Sequence, residues 1–309
     1  MTLDADELEA LRRRAFAIAY RMLGSISEAE DVVQESLLRL HRVLETGERI
    51  ESPRAYIATI ATRKAIDVLR SARVRREQYV GDWLPEPLVE DADGDPAQRA
   101  EMLESLSVAF LAVLERLSPE QRAVFLLRDV FDYGYDEIGE IVGKSHDNVR
   151  QLAVRARRHV REKRPRFVVT PQQRDRLATS FFDAVQRGDL AALERCLAGD
   201  VVLRGDGGGK VPALATSISG RGRVAQTILA WANVGRRFDG VLRPMTVNGG
   251  PGGLVTDADG HVVAVWALEL DGDEVTSIAS IVNPDKLRHL GEVGSLVASL
   301  RAAARDRPS

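Results

Sequence analysis

Residues 118–164 carry the pattern that most restricts how this chain can fold, which is a run of short amphipathic segments separated by tight breaks. Ser118 followed by Pro119 has the composition of a helix N-cap and first turn. Further along, Gly143 can make a turn between two helices, and Ser145 can cap the helix that follows. This order of signals predicts a helix-turn-helix.

The last of these helices separates an apolar face from a cationic face when its residues are placed at 100° intervals. Its predicted inward face consists of Val149, Leu152, Ala153, Ala156 and Val160. Between Lys144 and Arg166 there are nine bases and two acids. Arginine and glutamine can read base edges in the major groove while other bases neutralise phosphates, which favours DNA binding. The predicted contact residues are Lys144, Ser145, Asn148, Gln151, Arg155 and Arg158. A solvated basic helix in another helical bundle is the alternative.

Composition limits the remaining possibilities. A length of 309 residues predicts two or three domains, and a net charge of -3 makes the basic segments local features. One cysteine, Cys196, excludes an intramolecular disulfide and a cysteine metal cluster, and we expect no metal or cofactor. No run approaches the ~18 apolar residues of a membrane span, and the N-terminus lacks a signal-peptide core, so we expect a cytoplasmic protein without a membrane partner.

Residues 1–76 are predicted to form another helical domain. Its second helix shows a polar, acidic face that includes Asp31, Gln34 and Glu35. Its third helix begins at Ser52 and carries many bases with an aromatic residue near its start, a mixture that can hold phosphates and stack an unpaired base. The predicted contact set of this helix is Arg54, Tyr56, Arg63, Lys64, Asp67, Arg70 and Arg73. An exposed arginine-rich helix with no partner is equally compatible with its composition.

Residues 77–101 change abruptly in composition and are predicted as a linker, after which residues 102–166 form the helix-turn-helix domain. Pro85 and Pro87 exclude a regular helix, and the acidic run at 90–95 indicates solvated chain. Trp83 and Leu84 differ, because large apolar side chains tend to be buried against a partner surface.

Residues 167–290 are predicted to form an α+β domain, and residues 291–309 a tail that is either a short helix or frayed chain. A helix with a bend at Gly188 comes first, and a second helix begins at Arg223. Alternating segments separated by glycine-rich turns, one of them at 249–252, then predict a curled antiparallel sheet. The predicted strand segments are residues 201–203, 243–247, 253–257, 262–270 and 275–282.

Two ordered blocks carry a resemblance to a known family. They are AYRMLGSISEAEDVVQESLLRL followed by SPRAYIATIATRKAIDVLRSAR, and then LSPEQRAVFLLRDVFDYGYDEIGEIVGKSHDNVRQLAVRARRHV. These blocks resemble regions two and four of extracytoplasmic-function sigma factors. The resemblance implies that Asp31, Gln34 and Glu35 dock on the RNA polymerase core. It also implies that residues 54–73 melt and read the upstream edge of the promoter bubble, and that the last helix reads the distal element. Gly139 departs from the alanine common in the family and predicts a softened helix.

Three further motifs resemble the group of these sigma factors with a fused C-terminal SnoaL-like domain, a cone-shaped barrel of the NTF2-like class. The motifs are Trp83-Leu84-Pro85-Glu86-Pro87, Asp206-Gly207-Gly208-Gly209-Lys210 and Asn283-Pro284-Asp285-Lys286-Leu287. In that group the extra domain acts on the sigma factor itself, so the resemblance implies that these motifs regulate between domains. It predicts a multidomain monomer, with two all-α sigma modules before the α+β cone, that binds core polymerase and promoter DNA.

Cone-shaped domains usually hold a pocket, which allows a small-molecule ligand and makes an enzyme the competing interpretation. The candidate acid–base groups are Asp206, Lys210, His261 and Glu269. Catalysis needs two groups converging on one atom, and no such pair is evident, because His261 and Glu269 are predicted at solvated turns. The glycine-rich segment that ends in Gly209-Lys210 does not match a phosphate-binding P-loop, because Arg204 occupies the position where a P-loop requires its first glycine. We therefore predict a sigma factor that is not an enzyme. The alternative is a ligand-sensing DNA-binding regulator, or a SnoaL-like enzyme, fused to a helix-turn-helix.

Overall fold

The computed structural model describes residues 4–47, 50–77, 79–90, 106–161 and 170–305. The chain divides into two compact units, each assembled from two separate parts of the sequence. The first unit comprises Met1–Gln78 and Leu111–Arg164, and the second comprises Tyr79–Phe110 and Pro165–Ser309. The segment predicted as a linker therefore groups with the C-terminal residues. Residues 91–95 of the predicted acidic run lie outside the described residues.

The described part of the first unit is helical. Its helices are α1 (Ala5–Leu23), α2 (Ile26–Glu45), α3 (Pro53–Glu77), α4 (Val108–Leu114), α5 (Pro119–Asp129), α6 (Tyr135–Val142) and α7 (His146–Arg161), with the boundary between units falling inside α4. The predicted capping box at the start of α5 is confirmed, since the Gln121 N–H donates to the Ser118 hydroxyl and the Gln121 side chain accepts from the Ser118 N–H. Gly143 ends α6 with a positive φ of 66°, as the turn requires.

Gly139 has a packing role in the turn between α6 and α7. The Lys144 N–H donates to the Gly139 carbonyl at 3.0 Å, so the chain folds directly back onto this residue. A Cβ on Gly139 would lie 2.8 Å from the Lys144 carbonyl oxygen. The glycine expected to soften α6 is thus also what allows the turn to close.

The described part of the second unit forms one seven-stranded sheet covered by helices. Its elements are β1 (Val89–Glu90), α8 (Pro171–Arg187), α9 (Leu190–Cys196), β2 (Leu197–Asp206), β3 (Ile218–Ser219), α10 (Arg221–Arg237), β4 (Val241–Val247), β5 (Gly250–Thr256), β6 (Val262–Asp271), β7 (Glu274–Ile281), two 3-10 turns (Pro284–Lys286 and Arg288–Leu290) and α11 (Leu296–Arg305). The strand order is β1-β4-β5-β6-β7-β2-β3. Phe181, Ile228 and Trp266 belong to the core between helices and sheet. Among the described helices, none is long and apolar enough to cross a membrane.

Two predictions about the sheet are wrong. The sheet is mixed, because β7 runs parallel to β2, with Leu203 opposite Ile278. The meander from β4 to β7 ends beside the strand from which the chain departed, a long-range pairing that local alternation does not reveal. The predicted turn at 249–252 is shorter, since β5 already begins at Gly250 and its Pro251 lies opposite Thr246. The turn itself uses positive φ angles at Asn248 and Gly249, 50° and 72°.

The sheet gains its first strand from the segment predicted as a linker. Val89 pairs antiparallel with Val247 at the edge formed by β4. Next to this pair, buried Asn248 exchanges hydrogen bonds with Leu88: its side-chain oxygen accepts from the Leu88 N–H at 2.9 Å, and its own N–H donates to the Leu88 carbonyl at 2.7 Å. The Asn248 amide also donates to the Leu106 carbonyl at 2.9 Å. One buried side chain thereby holds two points of the segment.

Candidate nucleic-acid interface and linker clasp

Helix α7 presents the predicted cationic face to solvent. Val149, Ala153 and Ala156 are fully buried on its inner side. The predicted DNA-contact residues are all exposed: Lys144, Ser145, Asn148, Gln151, Arg155 and Arg158. Because these side chains are exposed to solvent in this unit, a polyanion such as DNA can reach them.

Arg157 lies between those two faces and fastens α7 to the end of α5 and the start of α6. Its guanidinium donates to Asp129 at 2.8 Å and contacts the Tyr135 hydroxyl. The hydrogen bond to Asp129 raises the pKa of Arg157 above its ordinary value. This arginine orients the helix. Among the residues that the structure describes, no acid forms an ion pair with the exposed Arg155 or Arg158.

The predicted contact set on α3 is only partly open to solvent. Exposed members are Arg54, Arg63, Asp67 and Arg70, and half-buried members are Tyr56 and Lys64. The side chain of Arg73 lies outside the described residues. Lys64 forms an ion pair with Glu35 at 2.5 Å, so a residue predicted for DNA and a residue predicted for core polymerase bind one another. On α2, Asp31 and Gln34 are exposed.

Two arginines of the α3 set are occupied by the helix-turn-helix within the same unit. Arg63 donates to the carbonyl oxygens of Glu140 and Ile141 at 2.7 and 2.8 Å, at the negative end of the α6 dipole. Arg70 donates to Glu120 at 2.6 Å, and this hydrogen bond raises the pKa of Arg70. Burial alone would raise the pKa of Glu120, but the Arg70 contact leaves it below its ordinary value.

In the second unit, three predicted motifs meet at the buried carboxylate of Asp206, which has no exposed surface. One carboxylate oxygen accepts from the Tyr79 hydroxyl at 2.5 Å. The other accepts from the Leu84 N–H at 2.8 Å and from the Lys286 ammonium at 2.7 Å. We call Asp206, Asn283 and Lys286, with the Tyr79 and Leu84 groups that they hold, the linker clasp.

Lys286 completes the linker clasp as a nearly buried cation. Its side chain is 9% exposed and lies over the rings of Trp83 and Tyr79, 4.3 and 5.0 Å from their centroids. Its ammonium also donates to the Leu84 carbonyl. Burial and the neighbouring Asp206 raise the pKa of Tyr79, so its hydroxyl stays a neutral donor.

The glycine-rich loop needs a glycine at position 208 because the Asn283 side chain packs directly against it. Gly208 donates its N–H to the Asp206 side chain at 3.1 Å and has a φ of 60°. A Cβ there would overlap the side-chain amide of Asn283, which itself donates to the Tyr79 hydroxyl at 2.9 Å. Lys210 lies outside the linker clasp and pairs with Asp285.

The remaining motif residues pack around the linker clasp. Pro85, Pro87 and Leu287 are buried, whereas Glu86 and Pro284 are half-buried. His289 contacts the Pro87 carbonyl at 2.7 Å through Nε2. Tyr79, Asn248 and His289 are contact residues that no motif in the sequence predicted. Of these three, only Asn248 had a signal in the sequence, because Asn-Gly predicts a tight turn. A turn gives no indication that the Asn248 side chain is buried.

The candidate acid–base groups are used elsewhere. Asp206 is bound to Lys286, and His261 contacts Glu292 at 2.9 Å while its N–H donates to Asp257 in the predicted turn. The prediction that Glu269 is solvated is wrong, because it accepts from the Ala109 N–H at 3.2 Å and is only partly exposed. Burial raises the pKa of Glu269 above its ordinary value.

We expect Glu269→Gln to stabilise the second unit at neutral pH. In wild type, the unfolded carboxyl ionises near its ordinary pKa, about 4.3, while the folded one retains its proton to higher pH. Stability therefore falls as pH rises from the unfolded to the folded pKa, and a neutral amide removes this loss. Thermal unfolding should give a higher midpoint for the variant at pH 7 and equal midpoints near pH 4. Exposed Glu274→Gln is the control, and a pH-independent difference would contradict the explanation.

The two helical modules, one of them ending in an exposed cationic helix, define a class of DNA-binding transcription proteins. The family model Sigma-70 region 2 matches residues 8–75, and Sigma-70, region 4 matches residues 107–160. The chain belongs to the extracytoplasmic-function RNA polymerase sigma factors, the subunits that direct RNA polymerase to promoters and initiate transcription.

Relatives match nearly the whole chain. It is 34% identical to the ECF RNA polymerase sigma factor SigJ of Mycobacterium tuberculosis, over 92% of this chain and 93% of SigJ. It is 32% identical to the probable ECF RNA polymerase sigma factor SigI of the same species, over 87% and 90% of the two chains. The crystal structure of SigJ covers 92% of this chain and 98% of its own, with a TM-score of 0.75 and 31% identity. The predicted order of two helical modules before an α+β domain is confirmed.

Proposed function

We propose that the C-terminal domain regulates this sigma factor in cis, in a monomer, by holding the chain between region two and region four. The observation that carries the proposal is the Asp206 carboxylate, which binds the Leu84 N–H, the Tyr79 hydroxyl and Lys286 at one buried point. A loop held through buried charge and backbone hydrogen bonds is a specific contact.

Chain length explains how such a contact can matter. The matched regions end at residue 75 and resume at residue 107, so the held segment is the connection between them. Each residue of extended chain spans at most about 3.3–3.6 Å, so fixing part of a connection shortens the reach of the rest. Asn248 holds Leu88 and Leu106 together, which removes the chain between them from that reach. A domain that binds or releases the segment would alter how far apart the two modules can act.

The proposed promoter contacts are the exposed set on α7 and the contact set on α3, and the proposed core-polymerase contacts are Asp31, Gln34 and Glu35. Arg63 and Arg70 support a further step. Their hydrogen bonds to α6 and α5 use the same guanidinium donors that a phosphate would require. Promoter binding by α3 should therefore require release of these contacts, and the protein alone should bind its promoter poorly.

The core-binding assignment is tested with Asp31→Ala and Gln34→Ala combined. Interface contacts of this kind contribute about 1–2 kcal/mol each, so binding to core polymerase should weaken roughly 30-fold or more. Asp175→Ala with Gln172→Ala removes the same two residue types from exposed positions of α8 and serves as control. Affinity is measured by titration of labelled core enzyme, and run-off transcription at saturating protein should recover. Equal affinity of both double variants would refute the assignment.

A further inference from the structure

The second unit contains an apolar cavity of about 280 Å³ between the sheet and helices α10 and α11. Its lining residues are all uncharged, and they include Gly205, Trp231, Gly235, Trp266, Ser280 and Val282. This volume is close to the lower end of small-molecule sites, about 300–1,000 Å³. A second cavity of about 160 Å³ shares Trp231, Gly235, Val255 and Trp266 with the first.

The lining determines the class of ligand. None of these lining residues is charged, and the polar side-chain groups among them are the Ser280 hydroxyl and the two indole N–H groups. A charged ligand would lose hydration without gaining a counter-ion, whereas an uncharged apolar molecule would gain by leaving water. Trp231 and Trp266, with ring centroids 6.3 Å apart, offer faces and edges suited to a ring system.

The cavity wall is continuous with the linker clasp. Gly205 and Val282 line the cavity, and their neighbours in sequence are the clasp residues Asp206 and Asn283. The Asp206 carbonyl accepts the N–H groups of Val282 and Asn283 at 2.8 and 2.9 Å, which joins the two strand ends. Leu214 closes tightly on Gly205, because a Cβ there would be 3.0 Å from the Leu214 nitrogen. A molecule filling the cavity would thus restrain the residues that carry the carboxylate of the linker clasp.

We infer that this cavity binds an uncharged, apolar, ring-containing small molecule, and that its occupancy tightens the linker clasp and so changes promoter-directed transcription. The second part rests on the proposed function. The first part rests on the cavity alone.

Gly235 provides a variant that closes the cavity without disturbing the fold. It lies in α10, lines both cavities, and has no atom within 4 Å of the position where a Cβ would stand. Gly235→Leu places a side chain in this space and exchanges a poor helix former for a good one. Ala230→Leu introduces the same side chain at an exposed position of the same helix. Both variants should unfold at or above the wild-type temperature.

Binding is measured on the full-length protein with the uncharged probe N-phenyl-1-naphthylamine, through energy transfer from the tryptophans of the protein, two of which, Trp231 and Trp266, line the cavity. Wild type and Ala230→Leu should show saturable transfer with equal affinity, and Gly235→Leu should bind at least about tenfold more weakly. The anionic probe 1-anilinonaphthalene-8-sulfonate should bind wild type more weakly than the uncharged one. Undiminished binding to folded Gly235→Leu, no saturable transfer in wild type, or equal affinity for both probes would overturn the assignment.

The coupling is measured by run-off transcription with core polymerase. The uncharged probe at saturation should change the output of wild type and leave that of Gly235→Leu unchanged. If the probe binds but does not alter wild-type output, the coupling is wrong. Transcription by Asp206→Ala then shows whether the proposed function fails too. A changed transcriptional output in this variant supports the regulatory role of the linker clasp, and an unchanged output contradicts that role.

Discussion

Replacing Asp206 with alanine is expected to lower the free energy of unfolding of the second unit by about 3–5 kcal/mol, the range for breaking a buried ion pair. The substitution leaves the nearly buried Lys286 ammonium without its carboxylate. It also removes the acceptor of the Leu84 N–H and the Tyr79 hydroxyl. The three tryptophans of the chain, Trp83, Trp231 and Trp266, all belong to this unit, so their fluorescence in a urea titration reports its unfolding alone.

Asp285→Ala is the matched control for this measurement. Its carboxylate pairs with Lys210 and Arg288, and it is 40% exposed, so its loss should change stability by less than about 1 kcal/mol. Asp206→Leu combined with Lys286→Met should recover much of the loss, because an apolar pair removes the orphaned charge. If Asp206→Ala were no more destabilising than Asp285→Ala, the buried carboxylate would not be holding the segment.

Arg155→Ala combined with Arg158→Ala is expected to abolish promoter-specific transcription while core binding persists. Each arginine that contacts a base contributes about 1–3 kcal/mol, so the loss of two should reduce specific transcription at least about 30-fold. Both side chains are exposed and apart from the buried face of α7, so the fold should survive. Run-off transcription measures the first effect, and co-elution with core enzyme measures the second.

The control for this pair removes the same charge elsewhere. Arg223 and Arg237 are exposed on α10, and their double alanine variant should transcribe like wild type. Loss of core binding in the Arg155 and Arg158 variant would indicate misfolding instead of lost recognition. Normal transcription by the Arg155 and Arg158 variant from a specific promoter would show that these α7 residues do not recognise DNA.

Local patterns were sufficient for the helical part of this protein. The alternation of apolar and basic residues along α7 predicted its buried and exposed faces, because a 3.6-residue period is set by the helix itself. The capping box at Ser118 and the turn at Gly143 were predictable for the same reason, since each depends on residues close together in sequence. Matching motifs then identified the family.

Contacts between distant parts of the chain could not be predicted in this way. The pairing of β2 with β7 joins residues about 75 positions apart, and nothing in either segment specifies a parallel partner. Glu269 stands beside a turn, which suggested solvent, but its carboxylate accepts a hydrogen bond from the Ala109 N–H, at the start of the region-four match. The motifs indicated that Trp83 and Asp206 act together, whereas the buried ion pair with Lys286 required the structure.

The pairing of β1 with β4 has a consequence for synthesis of the protein. Val89 leaves the ribosome about 160 residues before Val247, the partner that completes its strand. At the usual rate of about 5–20 residues per second, roughly 10–40 seconds pass between the synthesis of Trp83 and that of Lys286, which covers the Trp83 ring and binds the Leu84 carbonyl. During that interval the incomplete polypeptide exposes an apolar segment that chaperones and neighbouring chains can bind. Slower translation, by lengthening this exposure, would be expected to lower the yield of native protein.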